Sequence, residues 1–177
     1  MKKLLKYCSL TLLLSLLAFS SAGCGKESAK CPFTDAKWGD TLDDLAKLED
    51  GEYTEGGESA YNGTVYEFPK EYEGLDGIIR YSFDAEEKLV AMSWMYETDD
   101  SEDLKETYDT LHEGAEKLLG ESGFTYNSDK FADAATPGDV WYREEGNVII
   151  IAVDTDEAKL LQYTFMHPDV SEKRPEK

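Results

Sequence analysis

The residues able to do chemistry in this chain are three cysteines (Cys8, Cys24 and Cys31), two histidines (His112 and His167) and a large supply of carboxylates. A Ser–His–Asp hydrolase could draw on either histidine, but no G-x-S-x-G elbow presents a nucleophile to it. His112 follows Leu111 beside an apolar helical stripe, the place of a boundary or surface residue, and His167 ends a strand before Pro168. The run TDDSED (98–103) offers Asp99, Asp100 and Asp103, without the 1-3-5 oxygen spacing, central glycine and closing glutamate of a calcium loop. Asp154-Thr-Asp156-Glu157 is also incomplete, because Ala158 stands where a further ligand belongs. Both runs are expected to be helix caps and turns. Phosphate-loop, dinucleotide and paired-cysteine zinc patterns are missing too. The expectation is a non-enzymatic protein without metal or cofactor, the alternative being a small envelope hydrolase or metal-dependent enzyme.

The cysteines point to placement. MKKLLKY brings Lys2, Lys3 and Lys6; residues 7–20 carry no charge; Ser21, Ala22 and Gly23 are small. This is the layout of an export signal, and its apolar run is shorter than the roughly 20 residues of a bilayer-spanning helix. SAGC, ending at Cys24, resembles a bacterial lipobox, with Ser21 where that family usually has an aliphatic residue. The resemblance implies cleavage before Cys24, acylation (palmitate-type chains) on it, and a domain tethered to the outer side of the bacterial cell membrane. One acyl chain binds membranes only marginally, so a stable anchor needs more than one. With Cys24 acylated and Cys8 removed, Cys31 has no disulfide partner. It is expected to be exposed near the tether, unpaired and non-catalytic, since no base or electropositive cluster flanks it.

Three of the 18 basic residues and none of the 38 acidic ones precede Cys24, leaving 15 against 38, a formal charge of −23. Such a surface repels phosphate backbones and anionic headgroups, so nucleic acid is not an expected partner and membrane contact falls to the anchor. The 154 residues from Cys24 onward suffice for one domain with a substantial core. The expected division is a signal at 1–23, a lipidated N-terminus and tether at 24–35, one domain at 36–166, and a polar tail at 167–177.

Regular elements must position whatever this domain uses. TLDDLAKLEDG reads as a short helix with a Thr41/Asp44 capping box and a stop at Gly51. Asn62–Gly63 signals a type I′ hairpin. Alternation then predicts strands with Tyr66 and Phe68 on one face, followed by Ile79, Tyr81 and Phe83, and by Val90, Met92, Trp94 and Tyr96. Leu104, Tyr108, Leu111, Ala115 and Leu118 repeat at helical spacing between a cap at Asp100 or Ser101 and Gly120. Strands are expected at 139–145, 148–153 and 160–166, the last placing Leu161, Tyr163 and Phe165 on one face. The fold class is α+β: an antiparallel sheet of six to seven strands, two helices on one face, with a degenerate α-β-β-β duplication as a hypothesis.

Trp38–Gly39 with the helix after it, and Tyr108…Leu111…Leu118–Leu119–Gly120, give residues 36–166 a likeness to known proteins. The region resembles β-lactamase-inhibitor-like domains, including outer-membrane-assembly lipoproteins that share the fold. The resemblance implies a protein-binding or assembly role. Those inhibitors carry a disulfide in each repeat that this chain lacks, so β-lactamase inhibition does not carry over. With eleven Tyr and three Trp, the candidate binding surface is an open sheet face displaying Arg80, Trp141 and Arg143, suited to a protein or glycan of the envelope.

Overall fold

Thr41 opens the first helix as its side chain and pattern demand. Its Oγ1 accepts from the Asp44 amide and the Asp44 carboxylate accepts from the Thr41 amide, a reciprocal capping box. In this computed structural model, which describes residues 30–125 and 138–174, that helix is α1 (Leu42–Leu48), with Leu45 its one buried residue. Four strands follow: β1 (Thr54–Glu58), β2 (Asn62–Tyr72), β3 (Leu75–Asp84) and β4 (Leu89–Glu97). Then come α2 (Ser101–Leu119), β5 (Phe124–Thr125), β6 (Gly138–Trp141), β7 (Val148–Asp154), β8 (Lys159–Met166) and a 3₁₀ turn at Pro168–Val170.

The eight strands form one antiparallel sheet in the order β1-β2-β3-β4-β8-β7-β6-β5. Each half is thus a helix followed by a four-strand meander, and β4–β8 pairing joins the two. The α+β class, antiparallel sheet and paired helices agree with expectation; β1 and the two-residue β5 take the strand count past six to seven.

Register explains the core. Phe68, Ile79, Trp94, Tyr163 and Ile150 are successive cross-strand partners from β2 to β7, and each is 0–1% exposed. The next row on that face is Tyr66, Tyr81, Met92, Phe165, Val148 and Trp141. Both helices cover this face, α2 through Leu104, Thr107, Tyr108, Leu111 and Ala115. Leu118, expected on the buried stripe, is 46% exposed and Thr107 is buried instead. At this end of the helix Leu119, not Leu118, packs against the core. Val90 likewise leaves its alternation, because the β3–β4 register shifts between Ser82 and Phe83.

A hairpin does form at Asn62–Gly63, but its turn centres on Ala60–Tyr61, two residues earlier than a type I′ turn would put it. The Asn62 amide donates to the Ser59 carbonyl and the Ser59 amide to the Gly63 carbonyl, leaving Asn62 left-handed at φ +63°. Gly63 is needed for space: a Cβ there would collide with the carbonyl oxygens of Phe83 and Asp84.

Among the described residues, burial begins at Cys31, earlier than the expected boundary at residue 36. Phe33 is 3% exposed and meets Tyr72, Tyr163 and Phe165 edge-on at 5.4–5.9 Å. Thr34 and Ala36 are buried beside it. An alternating apolar pattern in a polar run, Cys31-x-Phe33, is too short to distinguish a docked strap from a spacer. At the other end the polar tail is also held, the Asn147 side chain donating to the Glu172 carbonyl and Arg174 to that of Gly123. Phe33→Ala is expected to destabilise the domain by about 3–5 kcal/mol, read as a lowered urea midpoint. A midpoint unchanged within error would show the strap to be incidental.

Candidate functional site

Two carboxylates are drawn under the helices, and the reason for each is traceable to register. Asp139 pairs with Ile150 in β6–β7, which puts its side chain at the end of the apolar row, 3% exposed. A carboxylate there is costly unless hydrogen-bonded, and α2 with its following turn supplies the donors. The Tyr108 hydroxyl donates to Oδ2, the Ser122 hydroxyl to Oδ1 at 2.9 Å, and His112 Nδ1 approaches Oδ2 at 2.9 Å. Tyr108 and His112 lie one helical turn apart and their rings stack. Beside them the Trp141 indole donates to the Gly120 carbonyl at 2.7 Å, closing the helix end onto the sheet.

The second carboxylate is Glu49, the residue that ends α1, with a side chain 1% exposed. It accepts from the Tyr81 hydroxyl and from Thr34 Oγ1 at 3.0 Å, and pairs with Lys70 at 2.7 Å. This network fastens the strap, α1, β2 and β3 together. Burial, then the hydrogen bond to the neighbouring carboxylate, pushes the hydroxyls of Tyr81 and Tyr108 well above the usual tyrosine value. Burial pushes the Cys31 thiol up to about 12, so it stays a thiol and not a nucleophilic thiolate at neutral pH. Cys31 is a free thiol, buried where exposure was expected.

The Ser122–Asp139–His112 grouping contains the residue types of a hydrolase in the wrong order. Both Ser122 and His112 address the carboxylate, whereas nucleophilic catalysis needs the serine on the far nitrogen of the histidine. His112 Nε2 faces Glu116 at 3.5 Å instead. His167 caps the 3₁₀ turn, its Nδ1 accepting from the Asp169 amide, and stands edge-on to Trp38 at 5.3 Å. Of the acidic runs, Asp100 caps α2, Asp103 accepts from the Tyr96 hydroxyl at 2.6 Å, and Asp154 pairs with Lys159. Each of these three carboxylates thus has a structural task. No group of three or more His, Cys, Asp or Glu among the described residues is placed to hold a metal.

Arg80, Trp141 and Arg143 do not share a surface. Strand alternation puts Trp141 on the helix-covered face, 3% exposed, and Arg80 on the opposite one. Arg143 follows β6 in a loop, where it pairs with Glu145 at 3.4 Å near Trp38. The alternation Asp139-x-Trp141 held the signal: one residue could not face the core without the other. Cys24 lies outside the described residues.

What the second face does display is a band of Ile78, Met95, Gln162 and Ile151, neighbours across β3, β4, β8 and β7. Ile78 is 43% exposed, and Ile149, Val153 and Leu160 are half-buried around the band. Arg80 lies alongside, its Nε 2.8 Å from Glu67. Neither helix packs on this face. Compared with known proteins, the chain matches no family model, no curated protein and no solved structure. No described helix is long and apolar enough to cross a membrane.

Tyrosines whose pKa is raised by folding protect stability below the unfolded-state value near 10 and lose it above, as the unfolded chain ionises first. Stability is therefore expected to fall from about pH 10 upward, and Tyr108→Phe should make that fall shallower in urea titrations at successive pH values. An unchanged alkaline slope would remove Tyr108 from the account. Native Cys31 should resist iodoacetamide at pH 8 and react once the chain is unfolded in urea; equal rates in both states would contradict its burial.

Proposed function

We propose that this protein is a non-enzymatic lipoprotein, tethered through Cys24 to the outer side of the bacterial cell membrane, that binds a protein or another component of the envelope. The observation that carries the binding half is the sheet face on which neither described helix packs. Its apolar band is exposed at Ile78 and lies opposite the face sealed by both helices. Apolar residues gathered on one exposed surface favour association over solvation. The likeness to β-lactamase-inhibitor-like domains leads to the same role.

Anchoring follows from the sequence before Cys24, and the early start of burial sharpens its consequence. Six residues lie between Cys24 and Cys31, seven steps along the chain. A chain extends at most about 3.3–3.6 Å per residue, so the domain would be held within roughly 25 Å of the anchor. The strap enters on the helix-covered side, against Tyr163 and Phe165, which favours an outward-facing sheet. The surface charge supports an anchor of this kind, since a strongly acidic domain gains nothing from anionic headgroups.

Cys24→Ser should shift the protein from the membrane fraction to the soluble fraction and abolish incorporation of labelled fatty acid. Retention of the label by this variant would refute acylation at Cys24. For the binding surface, a photo-crosslinker at position 78 should yield one dominant adduct in whole envelopes, and Ile151→Asp should reduce it. Adducts equally abundant from position 113, on the exposed side of α2, would count against the sheet face.

A further inference from the structure

A cleft of about 750 Å³ lies at the β1 end of the molecule, away from the apolar band and from the Asp139 cluster. Its walls are the start of α1, the β1–β2 hairpin and the β3–β4 turn. Its floor is apolar: Tyr66 and Phe83 meet edge-on at 5.6 Å, with Leu42 against them. Among the described residues five carboxylates line it, Asp43, Glu55, Glu58, Asp84 and Glu87, and no lysine, arginine or histidine does. Asp84 is committed to its own turn, accepting from the Glu86 and Lys88 amides at 2.9 and 3.0 Å. The other four make no ion pair among the described residues.

Register accounts for the arrangement. Glu55 pairs with Tyr66 and Glu58 with Thr64, while the pairing shifts between Glu55 and Gly57. The extra residue in β1 therefore turns both glutamates to the Tyr66 side. Because β1 is the edge strand and every one of its residues is exposed, the cleft opens sideways past the sheet. Carboxylates without an ion-pair partner around one cleft complement a cationic occupant.

We infer that this cleft is a docking site for a basic, extended polypeptide segment. Apolar side chains of the segment rest on Tyr66, Phe83 and Leu42, and its lysines or arginines meet Glu55, Glu58, Asp43 and Glu87. The size suits such a ligand, since pockets of about 300–1,000 Å³ are usual for bound molecules with an apolar floor and a few polar contacts. The site is independent of the sheet face proposed above and stands whether or not that face is occupied.

The test uses the purified full chain and a fluorescent peptide alternating lysine and valine, followed by anisotropy. Glu55→Gln with Glu58→Gln should weaken binding on the order of tenfold. Glu106→Gln with Glu113→Gln, on the exposed side of α2, removes the same total charge and should leave affinity unchanged. A peptide with serine for valine should also bind less tightly. Equal weakening by both charge pairs would reveal general attraction to an acidic protein and overturn the inference. Equal affinity for the serine peptide would overturn the apolar floor's part in it. Sedimentation showing two copies joined through Glu55 and Glu58 would overturn the assignment of the cleft to a basic segment. Intact urea midpoints for both paired variants would attribute lost affinity to the rim and not to unfolding.

Discussion

The pairing of β4 with β8 is the constraint on which everything else rests. It aligns Trp94 with Tyr163 and Met92 with Phe165, large side chains brought together from about seventy residues apart in sequence. Each half alone would be a meander with a helix and two unsealed edge strands. Joined, they bury a continuous aromatic layer, and an open hydrogen-bonding edge disappears from each. Such non-local contacts are entropically expensive to form, because long loops must close before any of the apolar area is gained. The return lies in the burial of Trp94, Tyr163, Ile79 and Ile150 together.

With that seam in place, each helix is secured to the sheet by a carboxylate that accepts a tyrosine hydroxyl. Under α1 the carboxylate is Glu49 and the hydroxyl belongs to Tyr81; under α2 they are Asp139 and Tyr108. The roles are exchanged between the halves, since the acid comes from the helix end in one and from the sheet in the other. Apolar packing alone lets a helix slide along a flat sheet at small cost. A buried acid with several donors has far fewer acceptable positions, because any shift leaves a charged group unsatisfied in a medium of low dielectric. The same chemistry that resembles a reactive centre by composition thus fixes a helix in place.

Two sheet faces with different obligations follow from this. The helix-covered face must close around its polar groups, so its residues answer to packing. On the other face polar groups satisfy one another: Arg80 pairs with Glu67, and the buried Ser93 and Thr164 share a hydrogen bond at 2.8 Å. A high negative charge keeps such a molecule apart from its own copies and from anionic surfaces. It also leaves carboxylates uncompensated where the edge strand and the first helix converge.

Sequence by itself determined the local elements and their inward faces. The capping box at Thr41, the α2 stripe from Leu104 to Ala115, and the alternation through Tyr81, Trp94 and Tyr163 are short-range patterns, and short-range patterns reflect the 3.6- and 2-residue periods directly. The proposed anchor at Cys24 likewise rests on a local pattern, the run SAGC. Tertiary structure decided what those periods cannot express: which strand neighbours which, that Phe33 belongs to the core, and that Trp141 and Arg80 look in opposite directions. It also decided that Asp139, Ser122, Tyr108 and His112 converge. The physical reason is that a buried polar group is chosen by its partners, and these partners come from different elements, joined only after the sheet has formed.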